Sequence, residues 1–221
     1  MNDRSVNHSG AYESVLSTNK VLRNTYFLLS MTLVWSAVVA GFAMAMNLPH
    51  PGLIITLVGF YGLMFFTEKN RNNSMGLVGT FALTGFMGYT LGPILNMYVG
   101  AGMGDAIITA LGGTALTFLA CSAYALTTKR DLSFLNGMIM AGFFAIIAAV
   151  VANIFLQLPA LSLAISAMFV LFSSAAILLT TQSIIRGGET SYISATVTLY
   201  VSIYNLFLSL LQLLGIMGGD D

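Results

Sequence analysis

Leu132–Ile185 reads LSFLNGMIMAGFFAIIAAVVANIFLQLPALSLAISAMFVLFSSAAILLTTQSII, 54 consecutive residues without Asp, Glu, Lys or Arg. A charge at the centre of a lipid-facing helix costs roughly 2.5–3.5 kcal/mol, so a stretch this free of charge belongs in a bilayer. One crossing takes about 20 apolar residues. The stretch therefore holds two crossings and a turn. Gln157-Leu-Pro159 is the turn, because proline lacks a backbone donor and pushes the preceding residue out of the helical region. Only a helix satisfies all its backbone polar groups within one such segment, and barrel strands are about half as long.

The same reading extends outward. Asn24–Thr67, Asn72–Gly104, Ala106–Thr128 and Thr190–Gly219 are also free of charge, over 44, 33, 23 and 30 residues. The first holds two spans, split at Asn47-Leu-Pro-His-Pro51, and the second ends in the glycine-rich Gly100-Ala-Gly-Met-Gly104. Seven helices are predicted: Tyr26–Met46, Gly52–Phe66, Gly76–Leu95, Ala106–Leu126, Leu135–Leu156, Ala160–Thr181 and Tyr192–Leu214. Composition agrees. Of 221 residues, 57% are apolar and 7% charged, against about 25% charged in soluble domains. That excludes a soluble enzyme and a disordered chain. Zero net charge without a basic stripe gives nucleic acid nothing to bind. Cys121 is the only cysteine, which excludes an internal disulfide framework.

The eight Lys and Arg are Arg4, Lys20, Arg23, Lys69, Arg71, Lys129, Arg130 and Arg186. With seven spans, all of them fall in the N-terminal tail or in the loops after helices two, four and six. The positive-inside rule makes that side cytoplasmic and the C-terminus periplasmic. The predicted organisation is a flexible cytoplasmic tail over 1–21, a seven-span all-α membrane domain over 22–217 and a short periplasmic tail over 218–221. Met1–Asn19 is polar and poor in apolar residues, and is expected to be unstructured. Ala43-Met-Ala45 resembles a signal-peptide cleavage site, but the apolar run before it exceeds a signal core and follows a long polar segment. Thr67-Glu-Lys-Asn-Arg71 and Thr127-Thr-Lys-Arg-Asp131 recur in similar settings, which fits two three-helix units around a seventh helix.

No acid or base lies mid-span, which argues against a proton relay. Gly85, Gly88 and Gly92 fall near one face of the third helix, and Ala37/Gly41 and Gly137/Ala141 repeat the small-residue spacing. Such residues let helices approach closely, within the chain or at a dimer face that would make a homo-oligomer. Asn153, Asn205 and Gln212 are expected to hydrogen-bond between helices; a substrate pathway is the alternative. Cys121 reads as a small apolar residue. His8 and His50 fall on opposite sides and cannot share a metal. No catalytic motif, metal ligand set or cofactor site is found, so no enzyme activity is expected.

Lys20-Val-Leu-Arg-Asn-Thr-Tyr26, Gly88-Tyr-Thr-Leu-Gly-Pro-Ile-Leu95, Thr128-Lys-Arg-Asp-Leu-Ser133, Ile185-Arg-Gly-Gly-Glu-Thr190 and Leu199-Tyr-Val-Ser-Ile-Tyr-Asn-Leu-Phe207 together resemble the Bax-inhibitor-type family. The likeness is to its bacterial YccA branch and runs from about Ser17 to Gly215. The resemblance implies a seven-helix bundle in the inner membrane. It implies one partner besides the lipid bilayer, the ATP-dependent protease FtsH, which such proteins modulate and which can degrade them. The protein would engage that partner through its helices and its N-terminal tail, the tail serving as a handle; Lys129, Arg130, Asp131, Arg186 and Glu189 lie in the cytoplasmic loops. Other family members are pH-dependent calcium leaks built on two aspartates. The matching positions here are Thr180 and Ser202. Two hydroxyls cannot titrate near neutral pH, so a pH gate of that kind is not expected, while a passive leak remains the alternative function.

Overall fold

The computed structural model describes residues 3–217, with side chains over 18–216. It is all-helical over these residues: α1 (Asp3–Ala45), α2 (Leu53–Lys69), α3 (Ser74–Gly100), α4 (Gly104–Thr127), α5 (Phe134–Leu156), α6 (Pro159–Ile185) and α7 (Tyr192–Met217). Six of them are long and apolar enough to cross a membrane, α1 through its Thr18–Ala45 part. α2 has 17 residues, about 26 Å of helix against a hydrocarbon core of about 30 Å.

Most boundaries follow the predicted breaks. The first turn holds Asn47 at φ 49° and Gly52 at φ 86°, and Pro159 begins α6 at a position where its missing donor costs nothing. Two differences stand out. α1 starts at Asp3, so its described backbone is helical where an unstructured tail is expected. The side chains before residue 18, including Arg4 and His8, and the C-terminal tail over 218–221 lie outside the described residues. α3 runs on through Pro93 to Gly100, which shrinks the glycine-rich loop to three residues.

α7 lies at the centre and touches α1, α2, α3, α4 and α6. Around it the contacts repeat. α3 packs on α1 and α2 as α6 packs on α4 and α5, while α1 touches α6 and α3 touches α4. Among the described residues, α5 touches no helix but α6. The core is built on α7: Leu199, Tyr200, Leu206 and Leu211 are almost fully buried. The outer faces are apolar, with Phe27, Ile54 and Phe155 largely exposed as suits contact with lipid.

Candidate functional site

One end of the bundle collects the polar loops. Gly187, at φ 74°, lies beside Thr18 at the start of the apolar part of α1. Ser191 Oγ donates to the Arg71 carbonyl at 3.1 Å and Arg186 Nη2 to the Arg130 carbonyl at 2.8 Å. The α2–α3, α4–α5 and α6–α7 connections thus meet, and these segments carry Lys69, Arg71, Lys129, Arg130 and Arg186.

Gln182, on the last turn of α6, organises this end. Its Oε1 accepts the Leu132 N–H at 2.8 Å, and its Nε2 donates to the Arg130 carbonyl at 2.9 Å. Both Gln182 and Leu132 are buried. The carboxamide therefore replaces water for two backbone groups that the α4–α5 loop cannot pair by itself. Arg186 Nη1 reaches Asp131 at 3.0 Å across the surface. Asp131 also accepts the Ser133 N–H at 2.9 Å. Its carboxyl is held below the usual range, first by that backbone bond, then by the Ser133 hydroxyl, with Arg186 adding to both. Glu189 faces its own loop, accepting the Ser191 N–H at 2.7 Å, and Lys129 is exposed. Asp131, Ser133, Asn136, Gln182 and Arg186 line an open hollow of about 310 Å³.

Thr180 and Ser202, expected to correspond to the aspartate pair, are not joined. Ser202 is buried and donates to the Thr198 carbonyl of its own helix at 2.8 Å, and Thr180 is half-buried. No hydrogen bond links the two among the described residues. The longer-range polar contact at this level belongs to the next residue, Thr181, whose hydroxyl lies 3.4 Å from that of Tyr26. Three further hydroxyls, of Thr25, Ser122 and Ser173, are buried without a partner on α1, α4 and α6.

The amides divide. Asn153 donates to Ser162 Oγ at 2.7 Å and accepts the Leu158 N–H at 3.1 Å, so it closes the α5–α6 turn. That turn places Gln157 at φ 51°, with its N–H on the Asn153 carbonyl at 2.9 Å. Gln212 accepts from Ser166 at 2.8 Å and ties α7 to α6, while Asn205 lies half-buried on α7. Gly88 and Gly92 face α1: a Cβ on Gly88 would collide with the Ser36 backbone, and one on Gly92 would lie 2.5 Å from the Ala43 methyl. Gly85 lies under the Trp35 indole, whose Nε1 donates to the Phe81 carbonyl at 3.0 Å. That glycine face is occupied by α1 and is not free for a second copy.

The buried polar network not predicted from the sequence is phenolic. The Tyr200 hydroxyl lies 2.6 Å from Ser36 Oγ and donates to the Thr84 carbonyl at 3.2 Å, and the Tyr204 hydroxyl lies 3.0 Å from Thr90 Oγ1. One signal was available. Two tyrosines four residues apart in an apolar helix must each find a partner once buried.

The family model described as "Inhibitor of apoptosis-promoting Bax1" matches residues 18–219. The chain is 62% identical over 218 residues to a protein of Escherichia coli strain K12 named "Modulator of FtsH protease YccA", covering 99% of this chain and 100% of the relative. A relative from Escherichia coli O6:H1 with the same identity and coverage is named "Inner membrane protein YccA". An uncharacterized protein of Pseudomonas aeruginosa is 61% identical over 202 residues, 91% of each chain. Together with six long apolar helices, this makes the chain a multi-pass protein of the bacterial inner membrane. Matched over nearly its whole length, it belongs to the Bax-inhibitor-type family.

Proposed function

We propose that the protein crosses the membrane seven times, with a cytoplasmic N-terminus and a periplasmic C-terminus, and that it binds and modulates the membrane protease FtsH. The observation that carries this reading is the 62% identity, over 100% of the relative, to a protein named as that modulator. The seven-span arrangement is supported by the gathering of Lys and Arg at one end of the bundle. α2 can cross if the bilayer thins locally or the flanking Lys69 snorkels, both of which are cheap for a few ångströms of mismatch. Two three-helix units around α7 are supported by the repeated contact pattern. In this reading the loops with Lys129, Arg130, Asp131, Arg186 and Glu189 are the cytoplasmic contact surface. Residues 1–21 are a polar segment that the protease can grip, which would make the protein a substrate as well as a regulator. No catalytic step is assigned to the chain.

The test is affinity purification from gently solubilised membranes, comparing the full chain with one lacking Met1–Asn19 and quantifying FtsH in each. Co-purification with the full chain supports the reading. Retention after truncation assigns the contact to the bundle, and loss assigns it to the tail. No enrichment with either form would remove the reading.

A second reading, a passive calcium or other ion leak, is favoured by one observation: the unpartnered hydroxyls of Thr25, Ser122 and Ser173 inside the bundle. Flux into liposomes holding the purified protein alone would support it. The double substitution Thr180→Asp with Ser202→Asp should then make that flux pH-sensitive.

A further inference from the structure

Among the described residues, the backbones of α1 and α4 do not approach one another closely. Toward the end with the charged loops the gap between them is bridged by Tyr26 and Phe118, whose ring centroids lie 5.9 Å apart. Toward the opposite end it stays open as a cavity of about 270 Å³. Ala37, Ala40 and Gly41 form one wall, Ile107 and Leu111 the other, and Leu91 with the α7 rings the floor. Gly41 has nothing within 4 Å of the place a Cβ would occupy, unlike Gly88 and Gly92 on α3. The small-residue pair Ala37/Gly41 is therefore turned toward this cleft.

The chemistry of the lining selects the occupant. Four hydroxyls lie along the cleft, and each is engaged by the protein. Ser36 and Tyr200 pair at 2.6 Å, Tyr204 pairs with Thr90 at 3.0 Å, and Thr114 donates to the Ala110 carbonyl at 2.7 Å. Their protons are all taken within the protein and the surface between them is apolar, so a polar ligand or a water would give up hydration for few partners and no free donor. Size excludes a whole helix: one turn, about 10 Å across and about 5.4 Å long, already exceeds the cavity. An apolar cavity of about 150 Å³ is enough to hold benzene. A hydrocarbon chain fits both the size and the surface, and the surrounding bilayer supplies it.

We propose that the cleft between α1 and α4 is an acyl-chain site, occupied by one tail of a membrane phospholipid. The tail completes the apolar packing of α7 from the side, where the chain itself leaves a wedge. This inference does not depend on the protease.

The test uses the full chain in nanodiscs containing a phosphatidylethanolamine with a diazirine in one acyl chain. Irradiation and peptide mapping should give adducts concentrated at Ala37, Gly41, Ile107 and Leu111, above those on the lipid-facing surface of α5. Gly41→Leu should fill the cleft and bring those adducts down to the α5 level. Gly137→Leu, at an α5 glycine with equal open space, should leave them unchanged. Thermal melting of both variants checks the fold. Uniform labelling that Gly41→Leu does not alter overturns the proposal. So does absence of lipid adducts in the cleft together with a dimer in native mass spectrometry, which would assign it to a side chain of a second copy.

Discussion

Gln182 and Leu132 are bound by a 2.8 Å hydrogen bond that crosses from a helix end to a loop, with both residues buried. Gln182→Ala leaves the Leu132 N–H and the Arg130 carbonyl without this partner. The carbonyl keeps Arg186, while the buried N–H is left unmade, so the loss should be about 1–3 kcal/mol, read as a lower unfolding midpoint in detergent. The α4–α5 loop should also open. Trypsin added on the loop side is expected to cut after Lys129 or Arg130 faster in the variant. An unchanged midpoint and cleavage rate would contradict the role given to Gln182.

Tyr200 and Tyr204 should not be equal. Tyr200 has two polar partners, one of them a backbone carbonyl; Tyr204 has one described partner, Thr90, which can also bond the Met87 carbonyl of its own helix. Tyr200→Phe should cost about 1 kcal/mol or more and Tyr204→Phe about half that, given that such bonds in membranes average about 0.6 kcal/mol. A double-mutant cycle of Ser36→Ala with Tyr200→Phe should give a positive coupling energy.

The glycines should separate by what they face. Gly88→Ala drives a methyl into the Ser36 backbone and should destabilise by about 1–3 kcal/mol, because α1 and α3 must move apart. Gly41→Ala meets open space and should be neutral or gain up to about 1 kcal/mol through the unfolded chain. Equal melting points for the two variants would refute the packing described for α3.

Asp131 gives a pH limb. Its carboxyl titrates below the usual range in the folded chain, chiefly because of the Ser133 N–H. The group therefore stabilises the fold above its unfolded value, near pH 3.9, and that contribution is lost as pH falls through the folded value. Between about pH 8 and about pH 5 stability should not change on this account. Below about pH 4, the melting temperature should fall more steeply for the native chain than for Asp131→Asn.

Topology is tested directly. With seven crossings, a reporter fused after Asp221 is exposed in the periplasm, and a cysteine at Lys129 reacts only from the cytoplasm. A C-terminal reporter on the cytoplasmic side would mean that α2 does not cross.

Much of the bundle was legible because charge is so costly in lipid. Arg71, Lys129 and Glu189 mark helix ends whatever packs between them. The family was legible in motifs from loops and helices alike. The ends of α1 and α3 were not. Pro93 removes one backbone bond without stopping a helix held by α1 on its flank. Thr180 and Ser202 could be matched to the family pair, but nothing in their sequence says that Ser202 turns back to Thr198. Gln182 went unread because its partners are backbone atoms of a distant loop, which carry no side-chain signature. Asn153 was expected to reach between helices; it does meet Ser162, but it also closes the short turn next to it.

The contact pattern also gives the molecule a mechanical direction. A force applied at the N-terminus would first have to peel α1 from α3, with which it shares an extensive contact and where Gly88 and Gly92 bring the two backbones together. A force applied at the other end would have to draw out α7, which five helices surround. α5, held by α6 alone, would resist least, yet it lies in the interior of the chain and no pull from an end reaches it first. Any machine that takes this chain end-on therefore meets an extensively packed helix at the start, whichever end it grips.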